Sequence, residues 1–384
     1  MIVMDFKLSP ETESILNMVS EFSRKKIEPI ANKIDSDEFD PKGLFREMGS
    51  LGILGITVPE EYGGANLDYL TQGLILEELS YYSASIGLSY GAHSNLVMDN
   101  LNRNGSKHQK ERYLDKMSKG ELIGSLCLTE PGAGSDAIGS MKTTYNKMED
   151  EKYKINGSKI FITNAPIADL FLTYARNGSI YSAFLLERAD GVETPKKLKK
   201  MGMRGSPTGE VVFNDIVVGK DRLMGNEGDG RRIIMSGLNS ERAVLAFGPL
   251  GIARRALEDS INYSTSREQF GQKIGDFELI QERLAYMFTK LEAARLLAYK
   301  AALMTKEELL DPSYAASSIL FASETATEIT KHAIMIFGGY GYMSEYPLER
   351  YHRDALLYEI GAGTNEIRKI IIGHNIQKKK VQII

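Results

Sequence analysis

Hydrophobic periodicity changes twice along the 384 residues, and a chain cannot ignore such a change. A stripe repeating every 3.6 residues buries on a helix, and the same residues placed on a strand would point half their apolar side chains at water. From Ser9 to about Lys119 the spacing is helical: Ile15, Met18, Val19 and Phe22 form one stripe, and Leu70, Leu74 and Ile75 begin another after the turn-rich PEEYGGANLD. ELIGSLCLTE, KYKINGSKIFITN and DLFLTYARNGSIYSAFLLE are then short β-rich runs, with Asn156-Gly157 and Asn177-Gly178 at hairpin-turn positions. After GNEGDG at 225–230, helical spacing returns through 231–264, 277–306 and 313–337 and continues in shorter pieces. The expected chain is α+β: an N-terminal α-helical domain over 1–120, a middle β domain over 121–225 and a C-terminal α-helical bundle domain over 226–384. No repeat of solenoid length interrupts this plan.

Charge and composition remove several function classes. Lys and Arg number 47 against 51 Asp and Glu, a net charge of -4, so no global field draws the chain to nucleic acid or anionic lipid. The run KKLKK at 196–200 reads as a solvated loop. A single cysteine, Cys127, leaves no intramolecular disulfide and points to a reduced, cytoplasmic setting. The five histidines lack H-x-x-x-H or H-x-x-E-H spacing, so no metal site is expected. AVLAFGPLGIA at 243–253 is about half the length a bilayer requires and contains Gly and Pro, so no membrane span is expected. MIVMDFKLSPETESI lacks the basic and apolar regions of a signal peptide, and Ser9-Pro10 reads as an N-cap with a first-turn proline.

Three glycine-rich segments carry candidate chemistry. LCLTEPGAGSD, 126–136, leaves a strand and turns through Pro-Gly-Ala-Gly. Either it simply reverses the chain, or its free N–H groups and the hydroxyls of Thr129 and Ser135 meet the carbonyls and phosphates of a cofactor. It lacks the G-K-[ST] ending of a P-loop. IFGGYGYMSEYPLERYHRD, 336–354, places Gly338, Gly339 and Gly341 after a helix, so it is not a dinucleotide fingerprint. A sharp helix C-terminus and a close approach to a pyrophosphate both fit it. Gly87 to Gly91, GLSYG, matches a nucleophile elbow with His93 nearby, but a helical pattern rather than a strand precedes it, which argues against a serine hydrolase built on Ser89.

SGLNSERAVLAFGPLGI, 236–252, poses the sharpest question. At helical spacing Ile234, Leu238, Glu241, Leu245 and Ile252 share a face, so Glu241 interrupts an apolar stripe. A buried carboxylate is costly unless paired or used. It is either a structural acid held by an interior arginine or a general base.

LCLTEPGAGSD, KIFITNAP with the FGGYGYMSEYPLERYHRD block, and YEIGAGTNEIR together resemble the acyl-CoA dehydrogenase family of flavoproteins, over about residues 5 to 380. GLSYGAHSNL, KKLKKMGMRGS, the SGL-x-x-ER segment and REQFGQKIGDFE are most similar to the isovaleryl-CoA type within it. The resemblance implies a helical domain, a β domain and a four-helix bundle, assembled as a homotetramer. It further implies FAD as cofactor, an acyl-CoA substrate, and electron-transferring flavoprotein as acceptor. Most members carry the catalytic glutamate just before the Gly-Thr of the last motif, where this chain has Ala362; in the isovaleryl type the base matches Glu241. By the same resemblance, Leu126, Leu128, Thr129, Gly134, Ser135, Phe161, Ile162 and Thr163 hold the flavin and its ribityl chain. Arg267, Phe270, Glu278, Met335, Phe337, Gly338 and Gly339 serve the FAD of a neighbouring subunit, and Thr364, Asn365 and Glu366 close over it. Ser135, Tyr174, Ala175, Asn239, Ser240, Arg242, Ala362 and Gly363 contact the acyl-CoA.

Phe161 stands where the family usually has tryptophan, Met335 and Glu278 each replace a glutamine, and Asn239 stands where aspartate is common. The implied reaction is α,β-desaturation of a short branched acyl-CoA. Glu241 takes the α-proton as a β-hydride leaves for the flavin, and the thioester carbonyl is polarised by a ribityl hydroxyl and a backbone N–H near Ala362. A straight short-chain preference and a non-catalytic scaffold binding flavin and acyl-CoA are the alternatives.

Overall fold

The computed structural model describes residues 7–36, 39–306, 310–378 and 381. Residues 1–6, on which the reading of the N-terminal segment partly rests, lie outside them. Helix α1 (Pro10–Lys26) begins as its sequence dictates: Ser9 caps it by accepting a hydrogen bond from Thr12 N at 3.1 Å, with Pro10 in the first turn. Short helices lead to α2 (Tyr69–Tyr82), capped by Asp68, and then to α3 (Ala84–Gly91). Residues Ala92–Asp99 continue α3 as a π-helix, and α4 (Lys107–Ser118) follows with a Ser106–Gln109 capping box.

A seven-stranded sheet occupies the middle of the chain. Its strands are β1 (Gly124–Cys127), β2 (Thr144–Lys147), β3 (Lys152–Thr163), β4 (Leu170–Asn177), β5 (Ile180–Glu187), β6 (Thr208–Gly219) and β7 (Leu223–Met224). The order is β6-β3-β2-β4-β5-β7, and β1 shares the β2 edge of β4 by pairing parallel with Leu170–Thr173. Period-2 alternation sorts the two faces: Leu170, Leu172 and Tyr174 join one apolar cluster with Val97, Leu101 and Ile234, while Phe171 and Ala175 join another with Tyr145 and Phe213.

Helical structure then resumes as α5 (Gly230–Leu245), α6 (Phe247–Ser266), α7 (Glu278–Lys306), α8 (Pro312–Phe337), α9 (Leu348–Ile360) and α10 (Asn365–Gln377). A two-stranded hairpin, β8 (Glu268–Gln269) and β9 (Gln272–Lys273), joins α6 to α7. The first and last helical segments share one core, in which Leu74 and Leu76 of α2 pack with Leu250 of α6 and Ile319 of α8. Ion pairs from Glu77 to Arg295 (2.7 Å) and Arg254 (3.5 Å) tie α2 to α7 and α6 inside it.

Two local expectations are corrected. Asn156-Gly157 is not a hairpin turn but lies inside β3, at a register shift between Ile155 and Gly157. Asn156 exchanges two hydrogen bonds with Asp215 (2.9 and 2.8 Å), and Gly157, at φ 148°, lets Thr143 approach so closely that an added Cβ would meet its Cα at 2.7 Å. The reversal sits earlier, where Asp150 and Glu151 have φ of 57° and 53°. Asn177-Gly178 does turn β4 into β5. The helix expected over 231–264 is broken at Ala246, so Ile252 lies on α6 and not on the helix of Glu241.

Gly157→Ala should therefore lower the unfolding free energy by roughly 2–3 kcal/mol through overpacking and strain. Gly178→Ala, at φ 58° with open space around it, should lose only about 1 kcal/mol. Urea midpoints of the two variants check the order.

Candidate functional site

Glu241 lies on α5 with only 8% of its surface accessible, and its carboxylate makes no hydrogen bond or ion pair with any described residue. Burial pushes its pKa up to about 7, against the opposing pull of Arg242 and Arg368. Arg242, next on the helix, does not pair with it. Its Nε donates to Ala362 O and its Nη1 to Asn239 Oδ1, both at 3.4 Å. The structural reading of Glu241 required an arginine partner, and Glu77 shows in the same molecule what that looks like.

Beside Arg242 the chain leaves α9 through Gly361, Ala362 and Gly363 before Thr364 caps α10 by accepting from Ile367 N. Ala362 has φ 56° and Gly363 φ 89°, left-handed conformations that are costly for the alanine. The Ala362 N–H finds no acceptor among the described residues. Tyr174, from β4, completes the enclosure; its hydroxyl is buried without a partner, and burial raises its pKa. Ser240 is held by Arg103, whose Nη2 donates to Ser240 Oγ at 3.0 Å while Asp99 accepts from its Nε at 2.8 Å and from Tyr69 at 2.8 Å. The structure thus brings Glu241, Arg242, Asn239, Ser240, Tyr174, Ala362 and Gly363 together.

Strand β3 offers an aromatic platform. Phe161 sits in a bulge of β3 with φ 61° and is 66% exposed, which is doubly unfavourable for a bulky apolar residue. Ile162 beside it is buried, and Thr163 is half-buried. The Leu126–Ser135 loop is fixed to this strand by Ile160 N donating to Thr129 O (2.9 Å) and by a buried Lys159–Glu130 pair (2.9 Å), with Lys159 Nζ also donating to Leu128 O (3.1 Å). Leu128 is buried by this arrangement, whereas Gly134 and Ser135 are exposed at the loop's tip.

An open recess of about 580 Å³ lies elsewhere, lined by Arg267, Phe337, Gly338, Gly339, Tyr340 and Met343 among others, and no residue around Glu241 lines it. Both readings of the glycine cluster have a place here: α8 ends at Gly338, φ 63°, and an added Cβ at Gly338 or Gly339 would meet nothing within 4 Å. Met335 is exposed, and Phe337 is buried in a stack on Tyr263. Phe270 projects from the β8–β9 tip, 96% exposed, and Glu278 is an exposed first residue of α7. Glu366 is exposed on α10, while Asn365 turns inward, its Oδ1 accepting from Arg368 at 2.6 Å. Ala175 is wholly buried in β4.

Ser89 lies on helix α3, buried, and donates to Ser206 at 2.9 Å. His93 accepts from Gly124 N and donates from Nε2 to Met117 O, which consumes both ring nitrogens, and burial lowers its pKa to about 4. That pairing ties β1 to α4 and leaves no base for a nucleophile. Among the described residues no helix is long and apolar enough to cross a membrane, and no group of three His, Cys, Asp or Glu is placed to hold a metal. The functional neighbourhood also contains Arg368, Arg103, Asp99 and Lys159, which the sequence reading did not single out. Arg368 closes the YEIGAGTNEIR segment that carries the family resemblance, but no role was drawn for it from that segment, and its chain neighbour Lys369 is a surface cation paired with Glu324.

Comparison with known proteins agrees over the whole length. The N-terminal, middle and C-terminal domain models of acyl-CoA dehydrogenases match residues 9–121, 125–216 and 228–377. Mitochondrial isovaleryl-CoA dehydrogenase of Pongo abelii is 44% identical over 376 residues, covering 95% of this chain and 88% of that protein. The butyryl-CoA dehydrogenase structure from Megasphaera elsdenii superposes with a TM-score of 0.95 at 38% identity, covering 97% and 100% of the two chains. An acyl-CoA dehydrogenase complexed with FAD from Bacillus anthracis superposes with a TM-score of 0.93 at 35% identity, covering 99% of this chain and 69% of that one. With helical segments flanking a central sheet, three domain models in register and relatives at this identity, the chain belongs to the acyl-CoA dehydrogenase family.

Proposed function

We propose that this acyl-CoA dehydrogenase desaturates a short branched acyl-CoA, with isovaleryl-CoA as the preferred substrate, and that Glu241 is its base. One observation carries the assignment: a buried carboxylate with no hydrogen-bond or ion-pair partner among the described residues, beside a buried Tyr174 hydroxyl that also lacks one. A carboxylate kept dry is a stronger base than one in water, and substrate entry displaces what water remains. Glu241 removes the α-proton, and the free N–H of Ala362 stands ready to donate to the thioester carbonyl as negative charge grows on it. Arg242, Asn239, Ser240 and Tyr174 orient the thioester around that base.

Bound FAD supplies the hydride acceptor. The residues present fit it: Phe161 offers an exposed ring in a conformation that only a function repays, and the exposed Gly134–Ser135 tip offers backbone and hydroxyl donors. The recess at Gly338 and Gly339 suits the dinucleotide end of a neighbouring subunit's cofactor. Exposed Leu279, Phe288, Ile370 and Ile376 on α7 and α10 support assembly of the 226–384 segment into a homotetramer. Reducing equivalents then pass to electron-transferring flavoprotein. Gly361 and Ala362 carry little bulk, which leaves width for a branched chain.

The purified protein should be yellow, with about one FAD per chain after reconstitution; a protein that stays colourless with added FAD would refute cofactor binding. Isovaleryl-CoA should be turned over tens-fold to hundreds-fold better than octanoyl-CoA, since a methyl group in a pocket is worth about 1–3 kcal/mol. Equal turnover of the two would overturn the width argument, and a flavin that stays oxidised with every acyl-CoA would make the chain a scaffold.

Glu241→Gln should lose ~10²–10⁴ in the rate of flavin reduction while still binding acyl-CoA. Adding Ala362→Glu should restore part of it, because residue 362 already touches Arg242 beside the base. The same variant has a stability signature. The folded pKa of Glu241 is raised, so its burial costs nothing below the unfolded value of 4.5 and costs progressively more as pH rises through about 7. Glu241→Gln should match the parent near pH 4 and exceed its stability by roughly 2–3 kcal/mol at pH 8, measured by urea unfolding at equal FAD.

A further inference from the structure

Four cationic side chains are buried among the described residues: Lys159, Arg222, Arg242 and Arg368. Lys159 pairs with Glu130, and Arg222 with Glu187 and Asp190. Two buried arginines form no ion pair with any described carboxylate, and both stand at the site: Arg242, beside the base on α5, and Arg368 on α10. Arg368 is the more deeply placed, with no accessible surface. Its guanidinium donates only to neutral acceptors: Tyr358 O at 2.7 Å, Gly361 O at 2.6 Å, Asn365 Oδ1 at 2.6 Å and Ser323 Oγ at 3.4 Å. Its Nε is buried without a partner. Burying a charge without a counter-ion is among the costlier things a fold can do, so the arrangement calls for a reason.

Two consequences follow from where it sits. Tyr358 and Gly361 present the open carbonyls at the end of α9, the negative end of that helix, and a cation there both caps it and fixes the direction in which the chain departs. That departure is the strained Ala362–Gly363 turn, whose Ala362 O accepts from Arg242, the residue next to Glu241. The second consequence is electrostatic. The charged or titratable groups that act on Glu241 are Arg242 on its own helix, Arg368 on α10 and Tyr174 on β4. Arg368 in turn feels Arg242, Glu241, Glu359 and Glu324, and Glu324 is engaged at the surface by Lys369 at 2.8 Å.

We infer that Arg368 is a positioning residue for the desaturation, holding the 361–364 loop in its working shape and presenting an unneutralised positive charge to Glu241. The inference rests on Glu241 being the base. Burial and Arg242 pull the pKa of Arg368 down to about 10, which leaves it charged throughout the neutral range. Burial raises Glu241 toward neutrality, and Arg242 together with Arg368 limits that rise, so the carboxylate form remains available near pH 7. A purely structural arginine would affect stability and leave the base's titration where it was.

The test is the pH dependence of kcat/KM in the FAD-loaded enzyme, with isovaleryl-CoA and butyryl-CoA, because its acid limb reports the ionisation of the base in the free enzyme. Arg368→Gln removes charge and geometry together: the acid limb should move up by about one pH unit and kcat should fall at least tenfold. Arg368→Lys keeps the charge but cannot span the same acceptors, so the limb should stay while kcat falls. Asn365→Asp sets a carboxylate against the guanidinium without removing it and should move the limb in the same direction as Arg368→Gln. It also carries the test if the glutamine variant does not fold. An unmoved limb in both Arg368→Gln and Asn365→Asp overturns the inference. If Glu241→Gln is inactive while those limbs stay put, only the role of Arg368 fails; if Glu241→Gln retains reduction, the base assignment itself fails.

Discussion

Desolvation of one carboxylate sets the terms for the site. Glu241 is carried into the interior by α5, which also buries the apolar Ile233, Ile234, Val244 and Leu245. The fold could have neutralised it, as it neutralises Glu77 with two arginines. Arg242 is adjacent and turns instead to Ala362 and Asn239. A rise from 4.5 to about 7 corresponds to roughly 3 kcal/mol of unrelieved charge burial. In a protein stabilised by only about 5–15 kcal/mol, that is a large sacrifice for a single side chain, and it is the same quantity that makes the carboxylate a better proton acceptor.

The backbone is held under strain at two candidate site loops. Phe161 and Ala362 are both non-glycine residues in left-handed conformations, each costing of order 1–2 kcal/mol. Neither would persist unless its surroundings over-determined it. Each has a buried cation nearby that grips the carbonyls of a site loop: Lys159 holds Leu128 O next to the strand of Phe161, and Arg368 holds Tyr358 O and Gly361 O ahead of Ala362. The lysine is offset by Glu130, whereas the arginine keeps its field. The difference matches the two sites, since the arginine acts on the carboxylate proposed as the base.

The order of helices, sheet and helices was legible because period is a property of the sequence alone and survives burial. Ser9-Pro10 and Asn177-Gly178 were legible for the same local reason. Asn156-Gly157 misled because the dipeptide fits a turn equally well as a bulge, and only Thr143, a strand away, decides between them. The break at Ala246 left no mark beyond Pro249, which is tolerated in the first turn of α6. Within the site, Glu241 announced itself by interrupting an apolar stripe. Arg368 could not, because a helical arginine beside a lysine reads as surface, and its burial depends on Ser323 and Tyr358 arriving from other helices. The Tyr69–Asp99–Arg103–Ser240 chain was invisible for the same reason, since its links span up to 137 positions.

The position of the proposed base also explains why the cations around it matter. Residue 362 lies just ahead of Thr364, the N-cap of α10, where open backbone N–H groups and the positive helix end favour an anion. A carboxylate placed there would be partly stabilised by backbone alone. Glu241 sits within α5, where the surrounding N–H groups are already used by the helix, so it receives none of that help. Moving an acid from the loop to the helix therefore exchanges backbone stabilisation for dependence on side-chain charge. Arg242 and Arg368 are the two side chains that supply it, one from the helix that carries the acid and one from the helix that follows residue 362.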